Sequence, residues 1–542
     1  MAAQSPPPFY FFTALTQSLS LRLSTDRLPL LGNFLKRTLE LSGRVRRRKP
    51  SVEVQQNQVL FNLLERAADT EFGRHYGFGQ ILSHYRSRNP QALLAAFQAA
   101  VPMHDYQTMF RPWWQRALDG APDVCWPGKV KYFALSSGTS DASTKYIPVT
   151  ADMTKHIRRV GVRQILTLTQ YDLPPSLFTR GVLMLGGSTQ LNKVGYRYEG
   201  DLSGIQAKQI PRWFQPFYKP GKRIAAEQDW GHKLDEIVLK AKDCDIGYIV
   251  GVPAWLQLLM EKIIAHFKVK TIHDIWPNLA VFTHGGVAFE PYKKGFEALL
   301  GKPLVYLETY LASEGFVAYQ ARKDAKGMRL AADLGMFFEF VPFNDDNFGP
   351  DGELKPGAQA LGVGQVQAGV DYAILLTTCA GTWRYLLGDT VRFTDLAEAE
   401  IVITGRTKHF LSLCGEHLSV DNMNRAVELT SEELGFTVRE FTVAGVPHGT
   451  LFGHNWYLGV DGPAPDAAAV MERLDHHLSI LNDDYRIERR HALKDVQAQV
   501  LPSQAFYDFL RARGKEGGQN KFPRVVKGQI LKDWEAFVAA RG

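Results

Sequence analysis

The sequence predicts a layered α/β fold: a large multi-layer N-terminal α/β unit that becomes β-rich toward its end, followed by a small α+β unit. Three observations carry this expectation. Between about residue 130 and residue 307, short apolar runs alternate with helical stretches, the rhythm of strands covered by helices. Residues 333–405 are strand-rich, with a Gly/Asp/Asn turn region at 344–369. After Gly405-Arg406 the composition shifts to a compact mixture of helices and strands. The boundary is therefore expected near 404–408, giving a large unit over residues 1–404 and a small one over 405–542.

Each element follows from local chemistry. Residues 51–118 carry apolar residues at helical spacing, among them Val59, Leu60, Leu63 and Leu64, then Leu93, Leu94 and Phe97. Val130–Leu135 reads as a strand, followed by a Ser/Gly/Thr loop and a second strand at Tyr146–Val149. Thr150 is a good N-cap for a helix that places Met153, Ile157 and Val160 on one face. Further strands are expected at Gly181–Leu185, Gly247–Val250, Leu279–Phe282 and Leu304–Leu307. Beyond the boundary, helices are expected near 421–434, 465–482 and 503–513.

Composition narrows the function. The chain has 542 residues, 45% of them hydrophobic and 22% charged, so a sizeable core forms and wholesale disorder is excluded. The net charge of +7, from 63 basic and 56 acidic residues, favours anionic ligands without pointing to nucleic acid. Cys125, Cys244, Cys379 and Cys414 are scattered, so neither a disulfide scaffold nor a zinc ribbon is expected. The N-terminus has no basic residue before Arg22 and carries three prolines, unlike a signal peptide. The uncharged run Ile246–Met260 is short for a membrane span of about 20 residues and contains Pro253, so it reads as a buried core segment. The basic run at 44–49 reads as a solvated helix end, with contact to anionic lipid or RNA as the alternative. A soluble cytoplasmic protein is expected.

Four stretches carry chemistry. SSGTSDASTK at Ser136–Lys145 directly follows a strand; small hydroxyl residues and Gly138 let backbone N–H groups approach a polyphosphate, and Lys145 adds a compact positive charge. It is not a Walker A loop, which needs Gly-Lys followed by Ser or Thr. Near Leu304–Leu307, Tyr310-Leu311-Ala312-Ser313-Glu314-Gly315 offers a ring to stack on a purine and a carboxylate for Mg²⁺. In Gly381–Asp389, Asp389 at a strand end can accept from ribose hydroxyls. Gly517-Gly518-Gln519-Asn520-Lys521-Phe522-Pro523-Arg524 makes a basic loop able to close over an anionic reaction centre. Taken singly, each is also met as ordinary structure: a solvent turn, a helix N-terminus at Ser313-Glu314 with Tyr310 in the core, a Gly-Asp hairpin turn, an idle basic tail. Other chemistries lack their signatures. There is no G-x-S-x-G elbow and no H-E-x-x-H, and the dinucleotide fingerprint begun at Gly362-Val363-Gly364 fails at Gln367. His448, His454, His476 and His477 stand outside any metal-ligand spacing.

In their order and spacing the four stretches resemble adenylate-forming enzymes of the luciferase and acyl-CoA synthetase superfamily. More closely, they resemble the auxin-responsive (Gretchen Hagen) family of acyl acid amido synthetases. Its SSGTS loop with following Lys and Ile-Pro-x-Thr is matched by SSGTSDASTK-Y-IPVT, and its Tyr-x-Ser-Ser-Glu by Tyr310, Ser313 and Glu314. Its Tyr-Arg-x-Gly-Asp is matched by Tyr385, Gly388 and Asp389, and its C-terminal Lys before Pro-Arg by Lys521, Pro523 and Arg524. Thr283-His284-Gly285-Gly286 sits where such enzymes place an adenine-contacting loop. Three departures stand beside these matches: Asp141 and Ala142 where the family carries glycines, Ala312 for a serine, and Leu386 for an arginine.

The resemblance implies activation of a carboxylic acid by ATP as an acyl-adenylate, followed by transfer to an amino acid amine. It places Ser136, Ser137, Gly138, Thr139, Ser140 and Lys145 around the β- and γ-phosphates, with Gly285, Gly286, Tyr310, Ser313, Asp389 and Arg406 also in the nucleotide site. Glu314 is the implied Mg²⁺ ligand and Lys521 the residue nearing the α-phosphate and acyl oxygen. The small unit then acts as a mobile lid turning about Gly405-Arg406. Tyr196, Tyr198, Trp213, Phe214 and Phe217, the densest aromatic cluster, are candidates for the acyl pocket or for plain core. ATP and Mg²⁺ are the expected cofactors, and a small carboxylic acid and an amino acid the expected partners. Nucleic acid, membrane and an obligate protein partner are not expected. The alternatives are an acyl-CoA ligase and a non-catalytic protein binding nucleotides or anionic surfaces.

Overall fold

The computed structural model describes residues 50–541 except 86–89, 137–143, 213, 350–351, 408–409, 450 and 514–521. Its first helix, Val52–Ala67, is capped by Ser51 and turns Val59, Leu60, Leu63 and Leu64 inward, so the 3.6-residue apolar period becomes a buried face. Helices Phe78–Tyr85 and Pro90–Ala100 pack against it. Residues Asp105–Leu118 form short helical turns, with Asp105 and Thr108 closing a capping box.

Strands β1 (Tyr132–Ser136) and β2 (Lys145–Val149) form an antiparallel hairpin paired from Tyr132↔Val149 to Ser136↔Lys145. Thr150 then caps helix Ala151–Thr167, whose Met153, Ile157 and Val160 are buried as expected. After β3 (Gly181–Met184), the pair β4 (Asn192–Val194) and β5 (Arg197–Gly200) joins the hairpin in a four-stranded sheet of order β2-β1-β5-β4.

The main sheet continues with β6 (Tyr218–Lys219), β7 (Ile246–Gly251), β8 (Val281–Gly285), β9 (Val305–Ala312), β10 (Gly315–Tyr319) and β11 (Met328–Leu330). It is completed by β12 (Met336–Pro342), β13 (Leu361–Gly362), β14 (Asp371–Thr378), β15 (Thr382–Asp395) and β16 (Glu400–Arg406). The twelve strands run in the order β13-β12-β14-β15-β16-β11-β10-β9-β8-β7-β3-β6. From β6 to β9 the pairing is parallel, with helices Pro253–Phe267 and Glu290–Ala298 as crossovers. From β9 onward every pairing is antiparallel.

The run Ile246–Met260 is buried as read but is not one element. It splits into β7 and the start of helix Pro253–Phe267, where Pro253 occupies the first turn and its missing N–H leaves no helix bond unmade. Among the described aromatics after residue 195, Tyr196, Tyr198, Phe214 and Phe217 do not form one cluster. Tyr196 donates its hydroxyl to the Ala117 and Leu118 carbonyls, Tyr198 stacks on Tyr132, and Phe214 contacts Phe217. Trp213 and the basic run at 44–49 lie outside the described residues.

The large sheet's last strand ends at Arg406. Beyond it, β17 (Phe410–Leu411) pairs β18 (Leu418–Ser419), and β19 (Val438–His448), β20 (Leu451–Val460) and β21 (Leu493–Pro502) make a separate sheet. Helices Val420–Leu434, Ala467–Leu481 and Gln504–Ala512 match the three expected there, and Asp483–His491 and Gly528–Ala539 add to them. This region packs on the large sheet's crossover helices. Cys414, Leu451 and Ala492 share a core with Trp255 and Tyr292, and Trp255 donates its indole N–H to Glu488 at 2.8 Å.

Candidate active site

The end of the parallel half brings the sequence motifs together. In doubly wound sheets, ligands bind outside the carboxyl ends of parallel strands. Here β8 ends in Gly285 and β9 in Ala312, followed by the two-residue turn Ser313-Glu314 into β10. The expected alternative of a helix N-terminus at Ser313-Glu314 is thus replaced by a tight hairpin turn. Gly315 follows at φ +145°, where an added Cβ would strike the sulfurs of Met336 and Met153. Gly285 has a structural reason of its own: a Cβ there would lie 2.4 Å from the Thr309 carbonyl oxygen, so β8 approaches β9 only through glycine.

Asp389 lies inside the long strand β15, not at a strand end or in a hairpin turn. Gly388, at φ +92°, kinks the strand there, and Thr407 donates its N–H to the Gly388 carbonyl at 2.9 Å. Across the ladder Asp389 faces Arg406, whose Nε lies 2.8 Å from Oδ1. The Tyr310 hydroxyl, from β9, donates to Oδ2 of the same carboxylate. Of the two readings of Tyr310, a ring offered to a base or a place in the core, the second describes it: the ring is buried in the sheet core and the hydroxyl holds Asp389. Burial and the Asp389 charge push the phenol well above its ordinary value, so it remains a donor.

Glu314 is buried beside this pair. Desolvation raises its carboxyl, while the Lys145 charge acts to pull it back down. Lys145 opens β2, opposite Ser136 at the end of β1, so the two ends of the Ser/Gly/Thr loop are held in one ladder pair. Ser137, Gly138, Thr139, Ser140 and Asp141 lie outside the described residues, as does Lys521. Lys145, Glu314, Asp389, Tyr310 and Arg406 are therefore the expected residues that the structure gathers into one site.

Three neighbours had no role in the sequence reading. Tyr385 is buried next to Glu314 and Tyr106, and is pushed far up first by burial and then by the Glu314 charge. Tyr106 accepts the Tyr146 N–H at 2.9 Å, one residue after Lys145. His417, at φ +43°, reaches the fields of Arg406 and Asp389 from the C-terminal side. Only Tyr385 had a local signal, since it begins the matched Tyr-x-x-Gly-Asp stretch; the other two are fixed by tertiary contact alone.

Phosphate oxygens fit a site where the charges of Lys145 and Arg406 both reach one buried carboxylate, Glu314. A divalent cation fits Glu314 only with ligands from elsewhere. Among the described residues no group of three or more His, Cys, Asp or Glu side chains is placed to hold a metal. Mg²⁺ meets that condition, because it binds through one or two carboxylates while keeping waters and substrate phosphates. His448, His454 and His477 meet the carboxylates of Asp495, Glu416 and Glu433 respectively, and among the described residues none belongs to a group of three or more metal-ligating side chains. No described helix is long and apolar enough to cross a membrane.

This mixed sheet with its separate α+β region defines a fold class that solved ligases share. A solved acyl acid amido synthetase, GH3.15, superposes with a TM-score of 0.55 at 19% identity, over 92% of this chain and 96% of that one. A 2-hydroxyisobutyryl-CoA ligase in complex with 2-HIB-AMP and CoA gives 0.56 at 14% identity, over 90% and 91%. Within that class the chain belongs to the GH3 family: the family's N-terminal, central and C-terminal domains match residues 44–230, 330–406 and 421–530. Among curated relatives, a probable indole-3-acetic acid-amido synthetase of Arabidopsis thaliana is 25% identical over 307 residues, 53% of this chain and 50% of that protein. A jasmonoyl–L-amino acid synthetase of Nicotiana attenuata is 25% identical over 275 residues, 47% and 46%. The chain spans about half the length of the curated relatives it matches.

Proposed function

We propose that the protein is an ATP-dependent acyl acid amido synthetase. The observation that carries this reading is the convergence of Lys145, Glu314, Asp389 and Arg406, from β2, the β9–β10 turn, β15 and β16, on the carboxyl end of the parallel strands. Family membership agrees with it.

A carboxylate and an amine do not form an amide unaided at neutral pH, since oxide is a very poor leaving group. In the first half-reaction a carboxylate oxygen attacks the α-phosphorus of ATP, the bond to the bridging oxygen breaks and pyrophosphate departs. In the second, the amine nitrogen attacks the acyl carbon, the acyl–oxygen bond to AMP breaks, and the amine's surplus proton passes to solvent. The chain supplies alignment and charge. Lys145, with Ser136, Ser137, Gly138, Thr139 and Ser140, cradles the β- and γ-phosphates. Asp389, oriented by Tyr310 and Arg406, accepts from the ribose hydroxyls, while Gly285, Gly286, Ser313 and the Tyr310 side of the cleft border the nucleoside. Glu314 would hold Mg²⁺, which when bound would supply charge neutralisation at the phosphates. Lys521 approaches the reacting α-phosphate and acyl oxygen when residues 405–542 turn about Gly405-Arg406. The intracellular, ATP-rich compartment is the setting this chemistry requires.

The test is incubation with ATP, Mg²⁺, a panel of aromatic and aliphatic carboxylic acids and pooled amino acids, with mass spectrometry of the products. Acid-dependent AMP and pyrophosphate with an amide mass are expected. AMP with a thioester mass only when CoA is supplied would replace the amine acceptor by a thiol, and ADP or no acid-dependent turnover would overturn adenylation.

A further inference from the structure

The segment His104–Tyr106 stitches together two pieces of the site that are far apart in sequence. His104 donates its N–H to the Arg384 carbonyl at 2.9 Å, and Leu386 donates to the His104 carbonyl at 2.7 Å, so the segment is laced onto β15 three residues before Asp389. Two residues later the Tyr106 hydroxyl accepts the Tyr146 N–H at 2.9 Å. β2 is the edge of its sheet, so this amide points away from β1 and finds its acceptor in a side chain. The same ring stands 5.5 Å from the Lys145 ammonium. Tyr106 is itself locked by stacking on Phe110 and by contact with Trp114, which in turn meets Tyr385. Burial pushes the hydroxyl up to about 12, so it stays neutral across the working pH range.

We propose that Tyr106 is a positioning residue for nucleotide binding: anchored to β15, it fixes the start of β2 and thereby holds Lys145 at a set distance from Glu314 and Asp389. It touches no reacting atom in this arrangement and acts through the lysine. The inference rests on the nucleotide-binding reading of the site. Without the hydroxyl, the edge amide of Tyr146 loses its partner, β2 frays from its first residue, and the lysine samples positions off the phosphates.

The experiment is calorimetric titration of the full chain with ATP and Mg²⁺, alongside the ATP KM of adenylation, for wild type, Tyr106→Phe, Lys145→Ala and the double variant. Tyr106→Phe keeps the ring and its stacking, so its melting temperature is expected to stay near wild type. ATP binding should weaken roughly tenfold while the acid KM is unchanged, and the loss should vanish in the Lys145→Ala background, because the effect passes through that lysine. A merely structural role would lower kcat and thermal stability together and leave ATP affinity alone. Unchanged ATP affinity in Tyr106→Phe, or an equal loss with and without Lys145, overturns the proposal. Failure of the parent reading looks different: wild type itself would then bind no ATP, or bind it without acid-dependent AMP release.

Discussion

Both oxygens of Asp389 are engaged, Oδ2 by the Tyr310 hydroxyl and Oδ1 by Arg406 at 2.8 Å. A carboxylate fixed at both corners presents its remaining lone pairs in set directions, which is what recognition of two neighbouring hydroxyls requires. Glu314 is less constrained and costs more to hold. Burial raises its carboxyl, so the ionised form depends on Lys145 and on whatever cation it meets. Glu314→Gln is accordingly expected to lower acid-dependent pyrophosphate release about a hundredfold while leaving the fold intact. Pyrophosphate release at saturating ATP, with circular dichroism as the control, checks this. At this scale the sequence was readable where chemistry is written in adjacent letters. Glu314, Lys145 and Asp389 were found from short motifs. Tyr106 and His417 were not, because their relevance lies in partners outside any local motif: Tyr146 for Tyr106, and Arg406 and Asp389 for His417.

Elements were legible where one period dominates. The helix after Thr150 and the mostly buried strands β7 and β8 follow from capping and apolar patterning, while β8 and β9 run three and five residues beyond the expected Phe282 and Leu307. Two features were hidden. The run Ile246–Met260 is apolar throughout, so periodicity could not reveal the change from strand to helix at Val252-Pro253. The Gly388-Asp389 pair has the look of a turn, yet β15 passes through it because β14 and β16 pair on either side. The contact between β8 and β9 gives an element-scale prediction. Gly285→Ala forces a methyl against the Thr309 carbonyl, a backbone atom that cannot swing aside, and should cost about 1–3 kcal/mol. Chemical denaturation is expected to show a lower midpoint with an unchanged slope; an unaltered midpoint would mean that the strands separate freely.

At the scale of the whole molecule, the order of twelve strands was beyond local reading, since pairings such as β11 with β16 join segments about seventy residues apart. The seam between the large sheet and the C-terminal region was equally hidden, and it contains a titratable group. Glu488 is buried, and its carboxyl is raised well above its usual 4.5, first by burial and then by the charges of Glu416 and Asp484. The folded chain therefore retains a proton that an unfolded glutamate has released. This contribution to stability is complete below about pH 4.5 and is lost as pH rises through the shifted value. Glu416 works in the other direction. Its lowered carboxyl, held against burial by His454 and backbone N–H groups, supports the fold above its ordinary value and fails as pH falls. Glu488→Gln, which keeps an acceptor for Trp255, should raise the thermal midpoint at pH 7–8 by roughly 2 °C. That gain should disappear near pH 4.5, as a pair of melting curves will show.

The indole that meets Glu488 also makes the seam visible. Trp255 is 6% exposed, lies 4.5 Å from the Trp230 ring and donates to a carboxyl oxygen of the other region. Fluorescence from such a ring depends on the polarity and hydrogen bonding around it. Parting of the two regions would therefore redden and dim its emission, and the Trp255→Phe variant would be blind to the same event. The molecule thus carries an optical gauge of whether its two regions stay in contact, readable in solution without any attached dye.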